Sequence, residues 1–180
     1  MVAHSEKEHA APTFKKTFGH HPMLAFCDNT GEFLAAQLRR GNVGANTAID
    51  HVTILGDALA QILGRHRYGR PILVRTDTAG CSKAFLAHIR VQRDRAVAAE
   101  FSVGWSITDR ERVAIGLVPK TVWADGVGRR CGPTRSTPMA GIVTGAGLVE
   151  ITGLLPAVVL AGYRAGTGVI VCRERPHPGA

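Results

Sequence analysis

The chain has 180 residues, of which 45% are apolar and 20% charged, enough to bury a real core within the size of one domain. Lysine and arginine outnumber the acids 22 to 14, a formal charge of +8 that favours polyanions such as nucleic acid. Four scattered cysteines, Cys27, Cys81, Cys131 and Cys172, make no CxxC pair, which argues against a zinc knuckle or disulfide scaffold and for reduced thiols in a cytoplasmic protein. The polar start, Met1-Val-Ala-His-Ser-Glu, argues against a signal peptide. Five glycines, Pro156 and Glu150 within residues 140–163 argue against a membrane span.

In chain order, residues 4–21 are polar and basic without a sustained period and read as an exposed arm. Its histidines, His4, His9, His20 and His21, lack the spacing of a metal motif. Residues 23–27 read as a strand, Asp28-Asn-Thr-Gly31 as a turn and residues 32–38 as the returning strand of a hairpin. Residues 39–46 form a loop whose Arg39 and Arg40 are solvated or face a phosphate. Thr47 and Asp50 have capping-box spacing, and Ala48, Val52, Leu55, Leu59 and Ile62 then predict a helix up to Gly64, with His51 and Asp57 facing solvent.

After the basic connection Arg65-His-Arg-Tyr-Gly-Arg70, the run Ile72-Leu-Val74 predicts a short buried strand that ends at Asp77 and is broken by Gly80. In sheets flanked by helices, strand carboxyl ends are where ligands gather, which makes Asp77 the candidate site residue. The plainer reading is that Asp77 caps the turn that follows. Ser82 is placed to cap a helix running to about Arg93. Residues 100–107 alternate as a strand, and Thr108 with Glu111 forms a second capping-box pattern before a helix through Leu117. Residues 124–144 read as a long loop, followed by strands at 148–152 and 168–172.

Several separated segments, in order, carry a resemblance: His4-Ser-Glu-Lys-Glu8, Pro12-Thr-Phe-Lys15, Phe18-Gly-His-His-Pro22, Leu24-Ala-Phe-Cys-Asp-Asn-Thr-Gly-Glu32, Leu38-Arg-Arg-Gly-Asn42, Leu73-Val-Arg-Thr-Asp-Thr-Ala-Gly80 and Arg173-Glu-Arg-Pro-His-Pro178. Together they resemble the core of bacterial insertion-sequence DDE transposases, the group 1 DDE domain. The similarity covers residues 3–123 and resumes near Leu148, with residues 124–139 and 155–162 departing from it as a chain does after compensating frameshifts.

The resemblance implies an α/β fold, an incomplete ribonuclease H-like domain over residues 1–123 that lacks its first strand, with a β-rich insertion over residues 124–180. It implies metal-dependent DNA cleavage and strand transfer with DNA transposon ends as partner, no membrane, and homo-oligomers in full-length relatives. Three acidic residues hold the metal in such enzymes, Mg²⁺ with Mn²⁺ as substitute, because hard cations in two-metal phosphoryl transfer want carboxylate oxygens. Asp77 matches the middle aspartate, as catalytic and metal-binding residue. The first aspartate is expected upstream of Val2 and the glutamate downstream of Ala180, and neither Glu150 nor Glu174 sits in the family's glutamate signature. The expectation is therefore a transposase fragment with an incomplete triad, inactive alone and holding metal poorly. The alternative is a non-catalytic basic DNA-binding or interaction module using the residue 4–16 arm and the arginines at 39, 40, 65, 67 and 70.

Overall fold

The computed structural model describes residues 1–125, 147–161, 163 and 165–173. By backbone proximity the chain forms two compact units, Met1–Ser106 and Ile107–Ala180.

The first unit opens with a short strand β1 (Ala11–Pro12) and a hairpin of β2 (Phe18–Phe26) and β3 (Phe33–Arg40). All three are antiparallel in the order β1-β2-β3. The Asp28–Gly31 turn reverses the chain because Gly31 takes φ +74°, a conformation that costs glycine little. The strand begins five residues earlier than the alternation from Met23 predicts. Residues 4–21 are thus no free arm throughout. His20 is 7% exposed and donates its Nε2 proton to the Glu8 carbonyl at 3.1 Å, while His21 donates from Nδ1 to the Val43 carbonyl at 3.0 Å. Two consecutive histidines look solvated in sequence because their partners are backbone carbonyls, which leave no trace in residue type.

Helix α1 (Ala48–Gln61) lies on the inward face of the hairpin, where Ile54 and Ala58 pack with Ala35 against Met23, Ala25 and Leu34. Its buried stripe is His51, Ile54, Leu55, Ala58 and Leu59, rotated from the predicted one. His51, expected in solvent, is 6% exposed. Its Nδ1 donates to the Thr47 carbonyl at 3.0 Å and its ring sits 5.2 Å from that of Phe85, so the imidazole behaves as a half-aromatic core residue. Asp57 is exposed as expected. The outward face of the hairpin keeps Leu24, Leu38 and the edge-to-face pair Phe26 and Phe33 exposed.

A single helical turn, α2 (Gly64–Arg67), leads into β4 (Ile72–Thr76), then α3 (Lys83–Val91) and β5 (Ala99–Val103). β4 and β5 are parallel, registering Ile72 with Ala99 and Thr76 with Val103. Parallel neighbours need a crossover, and α3 supplies it. Ser82 caps α3, accepting from the Phe85 N–H at 3.3 Å, and the helix buries Phe85, Leu86 and Ile89, none more than 2% exposed. Each such side chain contributes about 1.5–3 kcal/mol by leaving water. β4 is not the fully buried strand its Ile-Leu-Val run predicts. Ile72, Val74 and Thr76 are half-buried, whereas Leu73 is 58% exposed and Arg75 points to solvent. The strand reads as alternating because only one of its faces meets a core.

The second unit holds α4 (Asp109–Gly116), where the predicted capping box is present: Glu111 accepts from both the N–H and the hydroxyl of Thr108. An antiparallel sheet of β6 (Ala124–Asp125), β7 (Gly147–Glu150) and β8 (Ile170–Arg173) follows. β7 and β8 lie within three residues of the strands predicted at 148–152 and 168–172, and one turn of helix, α5 (Ala157–Leu160), lies between them. Ile151, Leu155 and Val169 are buried here. Most of the loop expected at 124–144, together with Cys131, Glu174 and the end of the Arg173-Glu-Arg-Pro-His-Pro178 segment, lies outside the described residues.

Candidate functional site

Asp77 stands immediately after β4, at the strand end where the sequence puts it, and its side chain is exposed. The backbone beneath it is held from two sides. A Cβ on Gly80 would lie 2.1 Å from Thr76 Oγ1, and one on Gly104 would lie 2.5 Å from the Thr78 nitrogen and 2.8 Å from the Asp77 carbonyl carbon. Both positions require glycine because real Cβ atoms do not approach that closely. The Gly104 N–H also donates to the Thr76 carbonyl at 3.2 Å, continuing the parallel ladder. A rigid peptide therefore carries a side chain that points into water.

The carboxylate is partly engaged. Oδ1 accepts from the Ala79 N–H at 3.0 Å, which makes Asp77 the cap of the Thr78–Gly80 turn. A carboxylate offers about four acceptor positions, so this bond leaves capacity for a cation. Nearby in sequence, Arg75 on the exposed face of β4 pairs with Asp28 in the hairpin turn, both more than half exposed. Among the described residues, no three His, Cys, Asp or Glu side chains converge to hold a metal ion. The described residues thus fit one ligand position, Asp77, and not a complete metal centre.

Other candidates are committed elsewhere. Glu150 accepts from the Thr152 hydroxyl at 2.8 Å, and that hydroxyl accepts from the Val169 N–H at 2.8 Å, a local brace between β7 and β8. In the second unit an open apolar depression between α4 and the residues around Leu154 and Pro156 carries Asp109 and Arg110. It contains no convergent set of reactive groups. A hydrogen bond with the Thr30 side chain, together with the backbone of the same turn, holds the Cys27 thiol below the ordinary thiol range.

The two basic segments are unlike each other. Arg39, expected in solvent or at a phosphate, has a side chain 5% exposed and pairs with Asp50 at 2.9 Å. It also donates to the carbonyls of His21 at 3.1 Å and Gly44 at 3.2 Å. This corrects two readings at once. Asp50 serves Arg39 instead of a capping box, and Thr47 makes no side-chain cap, its hydroxyl donating to the Gly44 carbonyl at 3.0 Å. An 11-residue separation across a Gly- and Asn-rich loop gave no sequence signal for this pair. Arg65 and Arg70, by contrast, are exposed.

No helix among the described residues is long and apolar enough to cross a membrane. No curated protein and no solved structure matches the chain. The mixed α/β architecture with an aspartate at the end of a parallel strand accords with the finding that the family model for the Transposase DDE domain, group 1, matches residues 1–135, well over half of the sequence, and the chain belongs to that family.

Proposed function

We propose that this chain contributes to divalent-metal-dependent DNA cleavage and strand transfer in transposition, with Asp77 as one carboxylate ligand of the metal. Transposases of the DDE family act on DNA and generally use a divalent metal. When bound, such metal supplies activation of the attacking oxygen and stabilisation of the leaving one. The observation that carries the reading is the exposed Asp77 carboxylate on a backbone fixed by Gly80 and Gly104. Fixed geometry at a strand end is what a metal ligand needs. The remaining carboxylates come from outside the described residues, and the 180-residue chain alone is inactive as a strand transferase.

The same reading treats residues 1–123 as a ribonuclease H-like core and 124–180 as a β-rich insertion. In support, one compact unit holds both the antiparallel hairpin sheet and the parallel β4-β5 pair, with α1 packed on the first and on α3, which packs on β5.

Two measurements test this. Metal-dependent cleavage or joining of transposon-end DNA by the purified chain, abolished by Asp77→Ala, would overturn the inactivity. For the ligand role, Fe²⁺ with ascorbate is expected to cut the backbone near residues 72–80 in the wild type and not in Asp77→Asn; equal cutting in both removes Asp77 from the metal site. A second reading, a non-catalytic basic DNA-binding module, draws on the exposed arginines of the α2 turn and on the cap made by Asp77. It expects salt-sensitive DNA binding that survives Asp77→Ala together with no metal-directed cutting.

A further inference from the structure

The α2 turn and the residues after it carry unpaired positive charge in the first unit. Residues 58–76 contain four arginines, Arg65, Arg67, Arg70 and Arg75, and no acid. Arg75 is neutralised by Asp28. Among the described residues no carboxylate pairs with the other three. Arg65 and Arg70 are exposed, and Arg65 donates only to the neighbouring His66 ring at 3.1 Å. Between them Tyr68 stands 55% exposed, with the Arg67 guanidinium carbon 5.0 Å from its ring centre.

We infer that this turn is a contact for a DNA strand, in which Arg65 and Arg70 hold backbone phosphates and the open face of Tyr68 stacks an unpaired base. The inference rests on the reading of the chain as a DNA-acting transposase. Three features select this partner over a merely solvated face. Guanidinium forks match phosphate oxygens in two-point geometry. An exposed tyrosine backed by a cation is a stacking platform for any base. The segment also lacks the acids that ordinarily intersperse a solvated surface.

Four residues, Tyr68–Pro71, join the turn to β4, and Asp77 follows the far end of that strand.

Fluorescence anisotropy of the 180-residue chain with a blunt duplex, and with the same duplex carrying a short single-stranded overhang, tests this. Replacing Arg65 and Arg70 with alanine is expected to lower the slope of log affinity against log salt by roughly two, about 0.9 per lost phosphate contact. Tyr68→Ala is expected to weaken the overhang substrate roughly 5- to 150-fold, with little effect on the blunt one, and Tyr68→Phe to retain binding. The glutamine pair at 65 and 70 repeats the test should the alanine pair fail to melt like the wild type. An unchanged salt slope, or equal loss on both substrates with Tyr68→Ala, overturns the contact while leaving the transposase reading in place. Failure of the wild type to bind either DNA overturns both.

Discussion

Arg39, near the end of β3, and Arg65, in the α2 turn, both belong to basic segments, yet one is sealed inside the fold and the other stands in water. The difference is the partner. Asp50 enters the first turn of α1 where Arg39 Nη1 reaches it, and two carbonyls accept further bonds from the guanidinium. No acid lies within the segment around Arg65, and its charge stays available to something outside the chain. Buried charge fixes structure, and exposed charge of one sign recruits a partner; net charge alone distinguishes neither.

The sharpest way to break this comparison is at Arg39. Arg39→Ala leaves Asp50 stranded with a half-sealed carboxylate and is expected to cost about 3–5 kcal/mol in urea unfolding. If it costs less than the surface substitutions below, the pair is not structural. Pairing Arg39→Met with Asp50→Leu removes the stranded charge and is expected to recover most of that loss, leaving about 1–2 kcal/mol for the carbonyls that lose a donor.

The helix starts sharpen the same contrast. Ser82→Ala removes a real cap and is expected to destabilise by about 1 kcal/mol, whereas Thr47→Ala, which removes no cap, is expected to cost less than about 0.5 kcal/mol. Equal costs would mean that Asp50 and Thr47 do serve α1 as the spacing suggests. At the exposed end of the comparison, alanine at Arg65 and Arg70 together is expected to move stability by less than about 0.5 kcal/mol, because no described partner is lost.

Smallest in energy is the chemistry of Cys27. Its thiolate is favoured by the Thr30 side chain, so alkylation of Cys27 is expected to accelerate at a lower pH than that of a small free thiol. Thr30→Ala is expected to shift the Cys27 profile upward. A profile that does not move assigns the effect to the turn backbone.

The sequence carried the local grammar of the fold well. The hairpin around Asp28, the caps at Ser82 and Thr108, the strand ending at Asp77 and the pair of late strands were all legible, because each depends on neighbours within a few residues. His20, His51 and Arg39 were misplaced for one shared reason. Their burial is decided by carbonyls and a carboxylate brought in by tertiary structure, and polar residue type predicts solvent until such partners are known. The site was legible as a position: Asp77 has its place in the strand, while the glycine at 104, which braces it, was invisible because it belongs to the neighbouring strand's end.

The two sheets of the first unit lean on a common helical layer without sharing a ladder hydrogen bond. Breaking the β4-β5 ladder therefore leaves every bond of the hairpin ladder intact, and the reverse also holds. Amide protons of the two sheets are therefore expected to exchange through distinct openings, with the strand that ends in Asp77 opening in a step that leaves the hairpin closed; hydrogen exchange with a single common opening for both sheets would show that the shared helices couple them.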